Sequence, residues 1–237
     1  MFRKALFAVL AFTWAASSGY AYAGQALVVS AEEHLGRGDA LMMSGKAEEA
    51  LGEYDAALAA DPKCSMAYND KAVLFLRYDL YGQALAMGDR AVEAEPRNSV
   101  AHMNRGNALA GLGRYDEAVA EYDRSLKLCP DYAATHIFKA NALITCGKYK
   151  DAEESADRAT RLCADNALAW YFKGAALALL GRPEEALKAL DKSVALDSTN
   201  PKAWYYEASA LKALGRQGEA DRALERSSLL SFQVKRK

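Results

Sequence analysis

Residues 169–198 read AWYFKGAALALLGRPEEALKALDKSVALDS, and the order of residue types in this stretch decides the fold. On either side of Gly181, apolar residues recur at spacings of three and four, the period of an amphipathic helix. Gly181 can take the left-handed conformation in which helices end. Two helices of about a dozen residues joined by a tight turn make a helical hairpin.

The same pattern extends outward in both directions with a period of 34 residues. Six blocks begin at Ala31, Ser65, Ser99, Ala133, Ala167 and Pro201 and run to Val234 without an inserted or deleted residue. The eighth place of each block holds only Gly or Ala: Gly38, Ala72, Gly106, Ala140, Gly174 and Ala208. The twentieth is always alanine, from Ala50 to Ala220. Small side chains at fixed places mark close helix crossings, where extra volume costs about 1–3 kcal/mol. Glycine fills the fifteenth place except at Asp79, and Pro62, Pro96 and Pro130 close the second helix of their blocks.

With these places in register, residues 31–234 resemble the tetratricopeptide repeat family, the fifth block matching at Trp170, Gly174, Leu177, Gly181, Ala186 and Leu196. The resemblance implies an all-α fold, a right-handed superhelical solenoid of six 34-residue helix-turn-helix repeats. They span residues 31–64, 65–98, 99–132, 133–166, 167–200 and 201–234. It also implies a concave groove, lined by the first helix of each repeat, that grips peptides or protein segments. The family's carboxylate-gripping set of lysines, arginine and asparagines is missing: Leu35, Asp39 and Met103 stand at matching places. His34, His102 and His136 replace an aromatic fourth-place residue, and Gly88 stands where a large residue normally packs. These departures are expected to loosen local packing.

The N-terminus points to export. Arg3 and Lys4 precede an apolar run from Ala5 to Ala16, and Ala21-Tyr22-Ala23 supplies a small-x-small cleavage site, the layout of a signal peptide over residues 1–23. The run is short for the roughly 20 residues of a membrane span, although an uncleaved anchor shares this layout. The mature chain is expected to begin at Gly24, with residues 24–30 as a lead, no integral span after cleavage, and a periplasmic or secreted location.

Cleavage would leave 28 basic against 31 acidic residues, without the basic stripe that nucleic acid binding requires. Equivalent places in separate hairpins put the three histidines too far apart to share a metal. The four cysteines are expected to remain thiols, with a bond between Cys129 and Cys163 as the alternative. Arg37-Gly38-Asp39 spells an adhesion tripeptide but falls inside a helix. Nucleophile-elbow, zinc-protease, phosphate-loop and paired-cysteine signatures are missing from the sequence. No catalytic residue, metal or cofactor is expected, and the chain reads as a binding protein rather than an enzyme.

Two recurring patterns remain. Basic residues at the seventh place (Arg37, Lys71, Arg105, Lys139, Lys173) accompany aspartates at the twenty-fifth (Asp55, Asp89, Asp123, Asp157, Asp191). An ion pair within each repeat is expected, broken in the sixth by Glu207 and Glu225. The second, fifth, ninth, twelfth and thirteenth places share the face of the first helix that its hairpin leaves over. That face makes Asn69, Met103, Asn107, Ile137, Asn141, Tyr171 and Tyr205 the candidate protein-binding groove. Asn107 and Asn141 are candidates to hold a bound backbone, because an amide both donates and accepts. Beyond Leu224 a short tail carrying Leu229, Leu230 and Phe232, followed by the basic residues 235–237, leaves the sixth repeat without a full capping helix. These three residues are a candidate contact edge for a second copy. The leading reading is an exported scaffold or assembly factor for apolar or aromatic segments. The alternative is a self-associating structural module of the cell envelope without a peptide ligand.

Overall fold

The computed structural model describes residues 29–234; the leader, the Gly24 cleavage point and the basic end 235–237 lie outside them. By backbone contacts the chain divides into two units, residues 1–62 and 63–237. Among the described residues every regular element is an α-helix.

The first unit contributes one hairpin, α1 (Ala31–Met43) and α2 (Ala47–Ala60). The second is an all-α solenoid of five. Its helices are α3 (Ser65–Arg77), α4 (Tyr81–Ala94), α5 (Ser99–Gly111), α6 (Tyr115–Leu128), α7 (Ala133–Thr145) and α8 (Tyr149–Leu162). They are followed by α9 (Ala167–Leu179), α10 (Pro183–Leu196), α11 (Pro201–Ala213) and α12 (Gln217–Val234). Within this unit each helix packs on the next, and the first helices of successive hairpins also touch, α3 on α5 through to α9 on α11.

One turn chemistry is used in all six hairpins. The fifteenth-place residue has positive φ, between 72° and 77° in the five glycines and 57° in Asp79. The following amide then reaches back to the carbonyl five residues earlier, as in Lys148 N to Leu143 O at 2.9 Å and Arg182 N to Leu177 O at 3.0 Å. This six-to-one closure satisfies carbonyls that a helix end would leave bare. Aspartate is among the few side chains that tolerate the left-handed region, which explains its presence at this place. At the other end, Asn98, Asn166 and Asn200 cap α5, α9 and α11 with their side-chain oxygens.

The small eighth place is matched to the twenty-fourth. A Cβ on Gly38 would lie 2.4 Å from the Tyr54 ring, one on Gly106 2.6 Å from Tyr122, and one on Gly174 2.5 Å from Leu190. Repeats two and four reverse the bargain, with Ala72 and Ala140 at the eighth place and Gly88 and Ala156 at the twenty-fourth. Gly88 leaves no hole: a Cβ there would meet the Arg105 backbone at 3.2 Å. The expected loosening at Gly88 is therefore corrected, since α5 moves in against the bare backbone. The twenty-seventh place is a further small position, Ala or Ser throughout, and the sequence reading passed over it. Ser193 Oγ donates to Ala167 O at 2.9 Å and Ser227 Oγ to Pro201 O at 2.8 Å, pinning the second helix to the start of the first.

In repeats three to six the fourth-place rings are hydrogen-bonded tethers. Trp170 and Trp204 donate Nε1–H to Ala164 O at 2.8 Å and Ser198 O at 2.9 Å, six residues upstream. His102 Nε2 meets Pro96 O at 3.0 Å and His136 Nε2 meets Pro130 O at 2.8 Å by the same geometry. At His102 and His136 histidine therefore keeps the ring and the N–H of tryptophan, so these two departures do not loosen their repeats; His34 Nδ1 instead meets Glu53 at 2.7 Å.

The charge ladder is corrected in register. Its pairs join neighbouring repeats, not the two helices of one: Arg105–Asp89 at 3.6 Å, Lys139–Asp123 at 2.7 Å and Lys173–Asp157 at 2.7 Å. The seventh place faces the preceding hairpin because the first helix of a repeat lies against the second helix before it.

Candidate functional site

In the second unit, the fifth place of the first helix is spent on packing between hairpins. Asn69, Met103, Ile137 and Tyr171 are all buried. Asn69 accepts from Asn104 Nδ2 at 3.4 Å, Ile137 packs with Ala159 and Ala169, and Tyr171 joins Leu177 and Leu190 in a core cluster. These four groove candidates are thus corrected to structural positions. The reason is that the next first helix covers them. Tyr205, the equivalent in the sixth repeat, has no further first helix against it among the described residues and is 55% exposed.

The accessible stripe runs instead along the second, sixth, ninth and thirteenth places. Met66, Val73, Phe138, Leu168 and Leu179 are exposed on it, and Asn141 is exposed beside them. The sixth place escaped the sequence reading although Phe138, Phe172 and Tyr206 recur there every 34 residues. Its rings fall into two sets. Phe172 lies 4.6 Å and Tyr206 6.1 Å from the Tyr171 ring, Tyr205 meets Tyr206 edge-on at 5.5 Å, and Phe138 stacks at 6.4 Å on Tyr122. Burial pushes the phenols of Tyr122 and Tyr171 far up, so both stay neutral donors.

The two amides differ. Asn107 accepts from Tyr122 OH at 2.9 Å, which fixes its oxygen inward and leaves its NH2 to donate. Repeat four has Ala156 where Tyr122 stands, so the Asn141 amide is not held in this way. At the C-terminal edge, α12 runs 18 residues to Val234, so the tail extends the last helix rather than forming a cap or folding back. Leu229 and Phe232 are 49% and 56% exposed, whereas Leu230 is buried at 7% and is corrected from edge to core.

The remaining candidates are placed as follows. Gly38 of the Arg37-Gly38-Asp39 tripeptide is buried in α1 under Tyr54, whose hydroxyl donates to Asp39 at 2.9 Å. The four cysteines are half-buried free thiols. Among the described residues no three side chains converge as metal ligands, and no helix is long and apolar enough to cross a membrane.

Comparison with known proteins agrees with this architecture. The tetratricopeptide repeat family matches residues 35–98, 99–132 and 139–201. No curated relative matches the chain by sequence. Among solved structures, MamA 41-end from Desulfovibrio magneticus RS-1 superposes with TM-score 0.62 at 23% identity, covering 71% of this chain and 96% of that one. A MamA RS-1 double mutant gives 0.62 at 22% identity over 73% and 97%. YrrB, a TPR protein with an unusual peptide-binding site, gives 0.58 at 23% identity over 72% and 88%. These structural likenesses carry the fold; with the sequence matches over three stretches of the chain, they identify it as a member of the tetratricopeptide repeat family.

Proposed function

We propose that the chain is an exported binding scaffold, not an enzyme, which holds an apolar or aromatic protein segment along the first helices of its second unit. The observation that carries this reading is the exposed stripe of Met66, Val73, Phe138, Leu168 and Leu179, because apolar area left in water on regularly spaced helices gains energy only by being covered. Asn107 and Asn141 add backbone recognition within it. Aromatic contact area is bound at low entropy cost, so the rings from Phe138 to Tyr205 are the expected centre of affinity. YrrB, which shares the fold, is a TPR protein with a peptide-binding site. Export rests on Arg3, Lys4 and the apolar run that follows.

Selection of a displayed peptide library on the protein tests the groove. Enriched sequences should carry aromatic or large aliphatic residues. Phe138→Ala or Asn141→Ala should weaken a selected peptide about tenfold, as loss of a hot-spot contact does, with the circular dichroism unchanged. Equal affinity in both variants would remove this groove from consideration. For export, N-terminal sequencing of secreted protein should start at Gly24, and an intact Met1 end in the membrane fraction would refute cleavage.

A second reading has its own observation. Tyr205, Leu224, Leu229 and Phe232 are each at least 40% exposed at the C-terminal edge, enough to seat a second copy.

A further inference from the structure

Repeat three holds a buried carboxylate in a cage. Glu121, at the twenty-third place of its block, is 2% exposed. Its Oε2 lies 2.8 Å from His102 Nδ1, its Oε1 accepts from Arg105 Nη2 at 2.9 Å, and Arg124 closes the third side. The cage is thus built from the fourth, seventh and twenty-sixth places. Both nitrogens of His102 face acceptors, Glu121 on one side and Pro96 O on the other.

Repeat four builds the same cage without its occupant. His136, Lys139 and Arg158 stand at the same three places, but the twenty-third is Ser155, too short to reach them. His136 Nε2 keeps its bond to Pro130 O at 2.8 Å, while Nδ1 is buried without a partner. His136 also lines a cleft of about 530 Å³, together with Val119, Pro130, Leu143 and Ser155 and with carboxylates that include Asp151 and Glu154. It lies on the opposite side of α7 from the groove stripe, since the fourth and seventh places point away from the second, sixth and ninth.

We propose that this cleft receives an acidic side chain, Asp or Glu, of a bound peptide, whose carboxylate, as the side chains covering Nδ1 move aside, takes the position that Glu121 occupies one repeat earlier. The site is separate from the groove, and neither depends on the other. Lys139 keeps two of its three donors beyond its pair with Asp123, and the guanidinium of Arg158 has donors to spare beyond Asp131. The other charges around the cleft are Arg161, paired with Asp157, Lys148, paired with Asp116, and Asp151 and Glu154 on α8, neither of which bonds to His136.

Because Nε2 donates to Pro130 O, Nδ1 of the neutral ring is an acceptor, and a carboxylate can bind there only when Nδ1 is protonated. Burial, with Lys139 and Arg158 beside it, holds His136 below its ordinary range in the free protein. Binding therefore takes up a proton and strengthens as the pH falls.

The chain has three histidines, so imidazole resonances report on the site directly in a pH titration by NMR. The probes are acetyl-Gly-Glu-Gly-amide, its Gln counterpart and inorganic phosphate, at millimolar concentration. The Glu peptide should raise the His136 pKa by about one unit, which makes binding about tenfold tighter at low than at high pH, and leave His34 and His102 unmoved. The Gln peptide should do nothing. Ser155→Glu should raise His136 without any peptide and abolish the peptide response. His136→Trp keeps the tether used by Trp170 and Trp204, and should retain the helical signal while losing peptide binding in calorimetry. Equal response to Glu and Gln peptides, response to phosphate alone, no response of His136, or a Ser155→Glu variant with an unmoved His136 would each overturn the proposal.

Discussion

At the eighth place of each block the available volume is set by one partner side chain, and this makes single residues decisive. Gly106 sits under the Tyr122 ring, which is 1% exposed and held by its hydroxyl to Asn107. Its ring therefore has nowhere to retreat. Gly106→Ala is expected to cost about 1–3 kcal/mol by overpacking, read from a chemical denaturation midpoint. An unchanged midpoint would show that the ring can shift. The same logic explains why Ala is accepted at Ala72 and Ala140, where Gly88 and Ala156 put no large side chain over it. Small and large residues at the eighth and twenty-fourth places thus have to be read as pairs.

At the scale of elements, the junction between α10 and α11 departs from its neighbours. The seventh place, basic at the earlier junctions, is Glu207, and it faces Asp191 across a cleft that also holds Arg216, Glu219, Arg222 and Arg226. One Glu207 oxygen is buried without a hydrogen-bond partner. Burial and the nearby Asp191 push the Glu207 carboxyl up to about 7, and burial also raises Asp191 against the pull of Arg216. A raised carboxyl binds its proton more tightly folded than unfolded. Its contribution is therefore fully present below the ordinary value of 4.5 and is lost as the pH rises towards about 7. Glu207→Lys should pair with Asp191 as Lys173 does with Asp157. The variant is expected to exceed the parent in melting temperature at about pH 8, above this window, and by less at about pH 5, near its acid end. A pH-independent difference would exclude the acidic pair as its source.

For the molecule as a whole, its two ends are treated differently. The third place is small and buried from Ala67 to Ala203, but it is the exposed Glu33 in the first repeat, which makes that face polar. At the other end Tyr205 lies open, Leu229 is exposed on α12, and the helix projects four residues past the length of its counterparts, carrying Phe232 with it. If this edge seats a second copy, Leu229→Ser with Phe232→Ser should shift light scattering at micromolar concentration from dimer to monomer and leave the helical signal intact. Leu230→Ser would instead destabilise α12, since that side chain is 7% exposed. A monomeric parent at high concentration would refute the contact.

Periodicity and glycine placement by themselves determined the helices, their turns and their close crossings, because these depend on residues near in sequence or on one repeated local geometry. Gly113, Gly147 and Gly181 mark turns from sequence alone. What lay beyond that reading was which face each first helix gives to its neighbours. Asn69, Met103, Ile137 and Tyr171 share a helical stripe with exposed residues, and their burial is decided by the next hairpin. The ion-pair ladder crosses between repeats for the same reason. The empty cage over His136 is likewise a tertiary fact: Ser155 is an unremarkable residue until Glu121 is seen enclosed at the equivalent place one repeat earlier. A one-dimensional pattern specifies what recurs; the stacking of one repeat on the next decides which copies are covered and which are left open.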